Sequence, residues 1–326
     1  MVAVICEEWG PPSALKLGEP LVGAPGPGEV LVRARAAALN FADSLIVAGK
    51  YQVKPPLPFT PGFEAAGIVE AVGEGVRRFG PGDTVMTALR YGGLSSLVLA
   101  PEERVFPLPH NVDFVSGAAF PVIYGTSYTG LVTRGGLRPG ETLLVLGATS
   151  GVGLAAIEIG KALGARVLAQ VRGGDNGGIA LQAGADAVID TRTEDLRDRV
   201  KELCDGRAAD AIYDPVGGDL ADQALRCVNW GGRLLIVGFA AGRIQQIPAN
   251  LLLVKSVSAT GVYWNSHFDH DAAGMRRVFA ALAAWQVEGK LNPLVRAELP
   301  VRDYGQAFDL LLDRKTPGKI VITFDQ

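Results

Sequence analysis

Thr142-Leu-Leu-Val-Leu-Gly-Ala-Thr-Ser-Gly-Val-Gly153 is the stretch that decides the fold. Its first five residues form an apolar run of buried-strand length, and a helical pattern runs from Val152 to Leu163. The turn between them is a variant of G-x-G-x-x-G in which Ala148 and Ser150 take the first two glycine positions and Gly153 the third. Small residues there let the backbone approach a pyrophosphate, and the free N–H groups at a helix start favour its negative charge. Ala148, Thr149, Ser150, Gly151, Val152 and Gly153 are therefore candidate dinucleotide contacts. The plain alternative is a tight strand-to-helix turn, and the strand–turn–helix context argues against it.

Working outward, apolar strands alternate with helical patterns. Arg166–Val171, Ala187–Asp190, Asp210–Asp214, Arg233–Gly238 and Ser256–Gly261 read as the second to sixth strands. Near-continuous apolar strands separated by helices indicate a parallel sheet covered on both faces. Six of them fit a doubly wound nucleotide-binding domain. The end of the second strand bears on the choice of coenzyme. Arg172 suits a 2′-phosphate, whereas Asp175 would suit free ribose hydroxyls. The balance is read as NADPH.

Residues 1 to about 120 have a different character. Short Val-rich runs at Glu29–Arg35, Ala66–Val72 and Asp83–Thr87 are punctuated by Pro-Gly turns at 27–28, 61–62 and 81–82. This pattern predicts a β-rich domain. The tail carries one amphipathic helix over Arg276–Glu288, then the stretch Val301–Leu312 and a last strand, Lys319–Phe324.

The 326 residues fit about two domains at a prior of roughly 150 each. With 48% hydrophobic and 20% charged residues, the chain can bury a large core. Net charge is -3 with no basic stripe, so nucleic-acid binding is not expected. Cys6, Cys204 and Cys227 are far apart, which suits free thiols in a reducing compartment. The opening MVAVICEEWGPP lacks the n-region and h-region of a signal peptide, and no apolar run reaches membrane-span length. A cytoplasmic protein with no membrane partner is expected.

Further motifs lie in order along nearly the whole chain: Asn40-Phe-Ala-Asp43, Gly49-Lys-Tyr51, Pro58-Phe-Thr-Pro-Gly-Phe-Glu-Ala-Ala-Gly-Ile-Val69, Gly80-Pro-Gly-Asp-Thr-Val85, Tyr124-Gly-Thr126, Asp214-Pro-Val-Gly-Gly218 and Gly318-Lys-Ile-Val321. With the Ser150 turn, they resemble the zeta-crystallin-like quinone oxidoreductases, a zinc-free branch of the medium-chain dehydrogenases/reductases. The resemblance implies an α/β fold in which a Rossmann domain (122–266) is inserted into a GroES-like β-rich catalytic domain (1–121 and 267–326). It also implies NADPH in the cleft between them, and a homodimer. By resemblance, Asn40 lies near the nicotinamide and substrate, Tyr51 lines the substrate cleft and Thr126 contacts the cofactor. Gly238 and Phe239 lie close to the nicotinamide, and Lys319 is a cofactor candidate. Leu45 stands where many relatives carry a second Tyr. Asn176 stands where a Lys would meet the 2′-phosphate, leaving that task to Arg172 or Arg192.

No metal site is expected. Zinc enzymes of this superfamily carry a Gly-His-Glu motif, which here reads Gly62-Phe63-Glu64, and three cysteines cannot form a four-Cys lobe. His267 and His270 lack a third ligand and read as a polar loop. Without a Lewis acid, donors such as Tyr51 or Asn40 must stabilise the charge that builds on a carbonyl oxygen as hydride arrives. The expected activity is NADPH-dependent reduction of a small electrophile, a quinone or another α,β-unsaturated carbonyl compound. Rival readings are an enoyl-thioester reductase of the same fold and a non-catalytic NADPH-binding protein. Asp43 reads as a helix cap or an Arg partner, with a proton relay as the alternative.

Overall fold

The computed structural model describes residues 1–173, 176–313 and 317–325. Asp175 lies outside them. The strands, in chain order, are β1 (Ala3–Ile5), β2 (Lys16–Gly18), β3 (Glu29–Leu39), β4 (Glu64–Val72), β5 (Thr84–Ala88), β6 (Leu97–Pro101) and β7 (Val105–Pro107). There follow β8 (Thr142–Val145), β9 (Arg166–Val171), β10 (Ala187–Asp190), β11 (Ala209–Asp214), β12 (Val228–Ile236) and β13 (Ser258–Gly261). The last two are β14 (Val295–Pro300) and β15 (Lys319–Thr323). Four helices matter below: α1 (Phe41–Val47), α2 (Phe114–Ala118), α3 (Pro121–Tyr128) and α4 (Gly151–Ala162).

Two compact units result. The first comprises Met1–Val122, His267–Val287 and Asn292–Gln326, and the second Ile123–Ser266 with Glu288–Leu291.

The first unit is built on a sheet of order β14-β15-β3-β4-β5-β7, with β6 also paired to β3. All its pairings are antiparallel except β14 with β15. Alternation along β3 sends Val30, Val32 and Ala34 into a core with Val69, Val85, Val98 and Phe308. Register does more than hold this sheet together. Ile320 pairs with Leu39, and Ala37 pairs with Ala65. The last residue before Asn40, the first residue of β4 and the first residue of β15 therefore meet at one end of the sheet. Chain positions 40, 64 and 319 become neighbours there.

The second unit holds six parallel strands in the order β10-β9-β8-β11-β12-β13. Buried Leu143, Leu144, Val167, Leu168, Ile212 and Leu234 explain the continuous apolar runs in its strands. From β8 the chain winds one way to β9 and β10, then crosses to β11 on the other side. The carboxyl ends of β8 and β11 therefore flank a topological switch point, where ligands of such sheets bind.

Some elements differ from the sequence reading. The fifth strand of this sheet starts at Val228, because Gly231 at φ 72° lets the chain bend and still pair. The sixth begins two residues late, since Ser256 adopts a left-handed conformation that ends the preceding helix. The tail helix begins at Ala272, where the Asp271 carboxylate accepts from the Gly274 amide at 2.7 Å. His267 and His270 bound a one-turn helix rather than a loop, and Asp269 between them pairs with Arg90 at 2.5 Å.

That tail helix, Ala272–Val287, is anchored on the first unit by Phe279, whose ring stacks on Phe106 at a centroid distance of 3.7 Å. Removing a fully buried aromatic leaves a cavity that costs about 3–5 kcal/mol. Phe279→Ala is therefore expected to lower the urea midpoint of the first unit's unfolding by that much free energy, read by far-UV circular dichroism. An unchanged midpoint would show that the helix is not anchored through this ring.

Candidate active site

In the first unit, Asn40 ends β3 and precedes α1. Its backbone N–H donates to Asp43 Oδ2 at 2.8 Å, and the Gly62 N–H donates to Asp43 Oδ1 at 2.9 Å. Asp43 is thus a helix cap that also ties α1 to the turn before β4. Among the described residues it pairs with no Arg. Burial pushes its carboxyl up to about 7, against the pull of the two N–H donors and the Lys319 ammonium.

The side chain of Asn40 lies among charges. Lys319 Nζ donates to Asn40 Oδ1, Glu64 Oε1 and the Leu39 carbonyl, each at 2.7 Å. Asn40 Nδ2 donates to Glu64 Oε1 at 2.9 Å. Glu64 Oε2 accepts from the Val122 N–H at 2.7 Å. Lys319 is 3% exposed and Glu64 fully buried. The sequence reading made Lys319 a cofactor contact. All three of its ammonium protons are directed at protein oxygens of the first unit. Tyr51 follows α1, half-buried, with its ring edge-on to Phe63 at a centroid distance of 5.3 Å.

In the second unit, the turn after β8 has the expected strand–turn–helix form. Gly147 adopts φ 55°, and its N–H donates to Gln170 Oε1 at 2.9 Å. Ser150 caps α4: its Oγ accepts from the Gly153 N–H at 3.1 Å and donates to the Gly147 carbonyl at 2.8 Å. A Cβ on Gly153 would stand 2.5 Å from the Gly147 oxygen and 2.8 Å from the Ala148 carbonyl carbon. Only glycine fits there. Gly151 and Val152 open the helix, where the first amides have no intrahelical carbonyl. Ala148 is buried, while Thr149 and Ser150 face outward in part.

The second side of the switch point is the Asp214–Gly218 loop. Asp214 is buried, which raises its carboxyl above the usual range, and its Oδ1 accepts from the Val216 and Gly217 amides. Gly238 and Phe239 follow β12 beside it: the Gly238 amide donates to the Asp214 carbonyl. A Cβ on Gly217 would lie 3.2 Å from the Phe239 ring.

Thr126 is half-buried on α3. Its neighbour Ser127 donates to the Val152 carbonyl at 2.9 Å and shares a 2.9 Å bond with Tyr213 Oη, which docks α3 on the start of α4. Trp264 packs under α3, where a Cβ on Gly125 would meet its ring at 2.7 Å.

Arg172 and Arg192 follow β9 and β10, whose last paired residues are Val171 and Asp190. Both are exposed, and the Arg192 guanidinium lies over Gly173. Asp190 ties the two strand ends by accepting from the Gly173 and Arg192 amides at 2.8 and 3.0 Å. The sequence reading missed Glu64 as a partner of Asn40, and it missed Ser127, Tyr213 and Gln170. Only Glu64 had a signal, in the Gly62-Phe63-Glu64 motif.

Residues 26–110 match the model of the alcohol dehydrogenase GroES-like domain, and 151–281 that of the zinc-binding dehydrogenases. A quinone oxidoreductase-like protein 2 homolog from Nematostella vectensis is 38% identical over 99% of this chain and 89% of its own length. Quinone oxidoreductase from Lama guanicoe is 34% identical over 99% and 97%. The chain belongs to the zinc-free quinone oxidoreductase family of medium-chain dehydrogenases/reductases. Among solved structures, that of Escherichia coli quinone oxidoreductase complexed with NADPH superposes with a TM-score of 0.91 at 30% identity, covering 99% of this chain and all of that one. Membership of this quinone oxidoreductase family makes the protein an oxidoreductase.

Asp43 provides a test of the first-unit site. Its folded value of about 7 lies above the ordinary 3.8, so the folded form holds the proton more tightly than the unfolded chain. Its contribution to stability is fully present below about pH 4 and is lost as pH rises through 7. The stability of wild type relative to Asp43→Asn should therefore decline from pH 4.5 to pH 8 in urea titrations. A difference that does not vary with pH would remove the buried carboxyl from this role.

Proposed function

We propose that this protein is an NADPH-dependent reductase that transfers hydride to a quinone or another α,β-unsaturated carbonyl compound, without zinc. The Gly147–Gly153 turn carries the reading. It offers a backbone cradle that a side chain at 153 would fill, opening on the amides of a twelve-residue helix. The complex of the E. coli relative with NADPH supports the choice of coenzyme.

In this reading Ala148, Thr149, Ser150, Gly151, Val152 and Gly153 hold the pyrophosphate, with Thr126, Gly238 and Phe239 nearer the nicotinamide. Arg172 and Arg192 form a pair of exposed guanidinium groups suited to a 2′-phosphate. When bound, NADPH supplies the hydride. Asn40 and Tyr51 orient the acceptor and donate hydrogen bonds to its oxygen as negative charge develops there. The balancing proton comes from solvent.

The residues present do not fit a catalytic zinc. Phe63 offers no lone pair where the zinc enzymes have His. Both oxygens of Glu64 already accept from Lys319, Asn40 and Val122. Among the described residues no group of three or more His, Cys, Asp or Glu side chains could hold a metal ion.

The reading includes a homodimer. β13 is an edge strand with Ser258, Ala259 and Gly261 exposed, and an unpaired edge is a template for a second chain. Exposed Leu253 and Val254 lie on the helix just before it. Three buried free thiols fit a cytoplasmic setting, and among the described residues no helix is long and apolar enough to cross a membrane.

Two measurements test these assignments. Purified protein should oxidise NADPH, followed at 340 nm, when given a quinone or an enone. Arg172→Ala/Arg192→Ala should raise the KM for NADPH about tenfold, roughly 1.4 kcal/mol, with little change for NADH. Turnover with enoyl thioesters alone, or none with any activated alkene, would overturn the acceptor assignment. Equilibrium sedimentation should return twice the chain mass, and a monomer at micromolar concentration would remove the dimer.

A further inference from the structure

Asn40 sits in a closed ring of three hydrogen bonds. Lys319 Nζ reaches Asn40 Oδ1 at 2.7 Å, Asn40 Nδ2 reaches Glu64 Oε1 at 2.9 Å, and Lys319 Nζ reaches the same Glu64 Oε1 at 2.7 Å. An asparagine side chain can rotate to exchange its oxygen and nitrogen. Here the exchange would press Oδ1 against a carboxylate and the NH2 group against an ammonium. Both contacts would be repulsive, and burial leaves little water to screen them. The two charges therefore select one orientation of the amide.

The selected orientation has a chemical consequence. One Nδ2 proton is committed to Glu64. The other has only a 3.5 Å approach to the Ala38 carbonyl, at the outer limit of a hydrogen bond. Asn40 is half-buried, whereas both charged partners are buried. The ammonium on Oδ1 draws electron density from the amide, which strengthens the remaining N–H as a donor. Glu64 is held in turn through its second oxygen by the Val122 N–H.

We propose that Lys319 and Glu64 are positioning residues for the reduction: together they fix the Asn40 amide so that one polarised Nδ2–H is presented to the acceptor oxygen. This rests on the hydride-transfer reading above. Neither charge touches substrate or coenzyme; both act through Asn40.

The test uses the full-length protein and the double variant Lys319→Met/Glu64→Gln, which removes the two buried charges together and leaves neither unpaired. Its kcat with a quinone should fall by about 100-fold, the scale of a misplaced catalytic group. NADPH affinity, read by fluorescence titration, should stay within about twofold, since the proposed coenzyme contacts lie in the other unit. In an Asn40→Ala background the same pair of substitutions should cost almost nothing further, because they act through the residue already removed. A structural role alone would give the same loss in both backgrounds, and that result would overturn the proposal, as would an unchanged kcat. Lys319→Arg with Glu64 intact keeps the charge and should recover much of the rate.

A readout independent of turnover separates this inference from the reading beneath it. In NMR spectra of the wild-type protein, the Asn40 side-chain amide, assigned by its loss in Asn40→Ala, should show one slowly and one rapidly exchanging proton. In the double variant both should exchange rapidly. If wild type shows this asymmetry but reduces no activated alkene, the reductase reading fails and the presentation of Asn40 to an acceptor fails with it. If wild type is active and both protons exchange alike, the positioning role alone falls.

Discussion

The first unit is organised around one buried ion pair, Lys319 with Glu64 at 2.7 Å. Each charge alone would cost several kcal/mol to bury, and the attraction repays this only when the remaining protons and lone pairs are also satisfied. Here they are: Leu39 and Asn40 complete the ammonium, and Asn40 and Val122 complete the carboxylate. That requirement brings β3, β4, β15 and the start of α3 to one point. A slip of one residue in the pairing of β15 with β3 would turn Lys319 to the opposite face of the sheet and strand Glu64. The pair thus acts as a register lock for the three strands that carry Asn40.

The second unit reaches its order by a different route. Its candidate cradle contains almost no charge. Gly153 lets backbone segments approach at distances a side chain would forbid, positive φ at Gly147 and Gly217 shapes the turns, and Ser150, Gln170 and Asp214 satisfy the amides that the tight turns leave over. This contrast suits the two tasks. A pyrophosphate brings its own charge and needs aligned N–H dipoles, whereas an acceptor that gains charge only during reaction needs a donor fixed beforehand.

How much of this was legible in the sequence follows from the range of the interactions. The Ser150 cap and the Gly153 packing are local, set within a dozen residues, and strand–turn–helix periodicity announces them. The six parallel strands were readable for the same reason. What was missed depends on register between distant segments. Nothing in Gly318-Lys-Ile-Val321 says that its ammonium will lie against residue 40; the pairing of Ile320 with Leu39 decides that. Ser127 and Tyr213 are 86 positions apart and meet only because α3 docks on the start of α4. The fifth strand begins at Val228, ahead of its apolar run at Arg233, because Gly231 bends within a strand that continues to pair.

Phe63 shows how one substitution reshapes a site. Glu64 and its neighbours form a buried charged cluster, and Phe63, next to Glu64 in the chain, packs into the apolar core of the same unit. Its contact with Tyr51 makes an edge-to-face pair, with the apolar face of one ring against the edge of the other. The polar network of Asn40, Glu64 and Lys319 and this ring pair belong to the same unit, with Phe63 adjoining Glu64 in the chain. In the proposed reading, flat conjugated acceptors gain contact from the rings while their oxygen meets the donor that the ion pair orients. A tetrahedral alcohol, which needs a Lewis acid or a strong base to release its proton, gains from neither. In that reading Phe63, which offers no lone pair to a metal, leaves hydride delivery to a bound acceptor as the chemistry this cluster can assist.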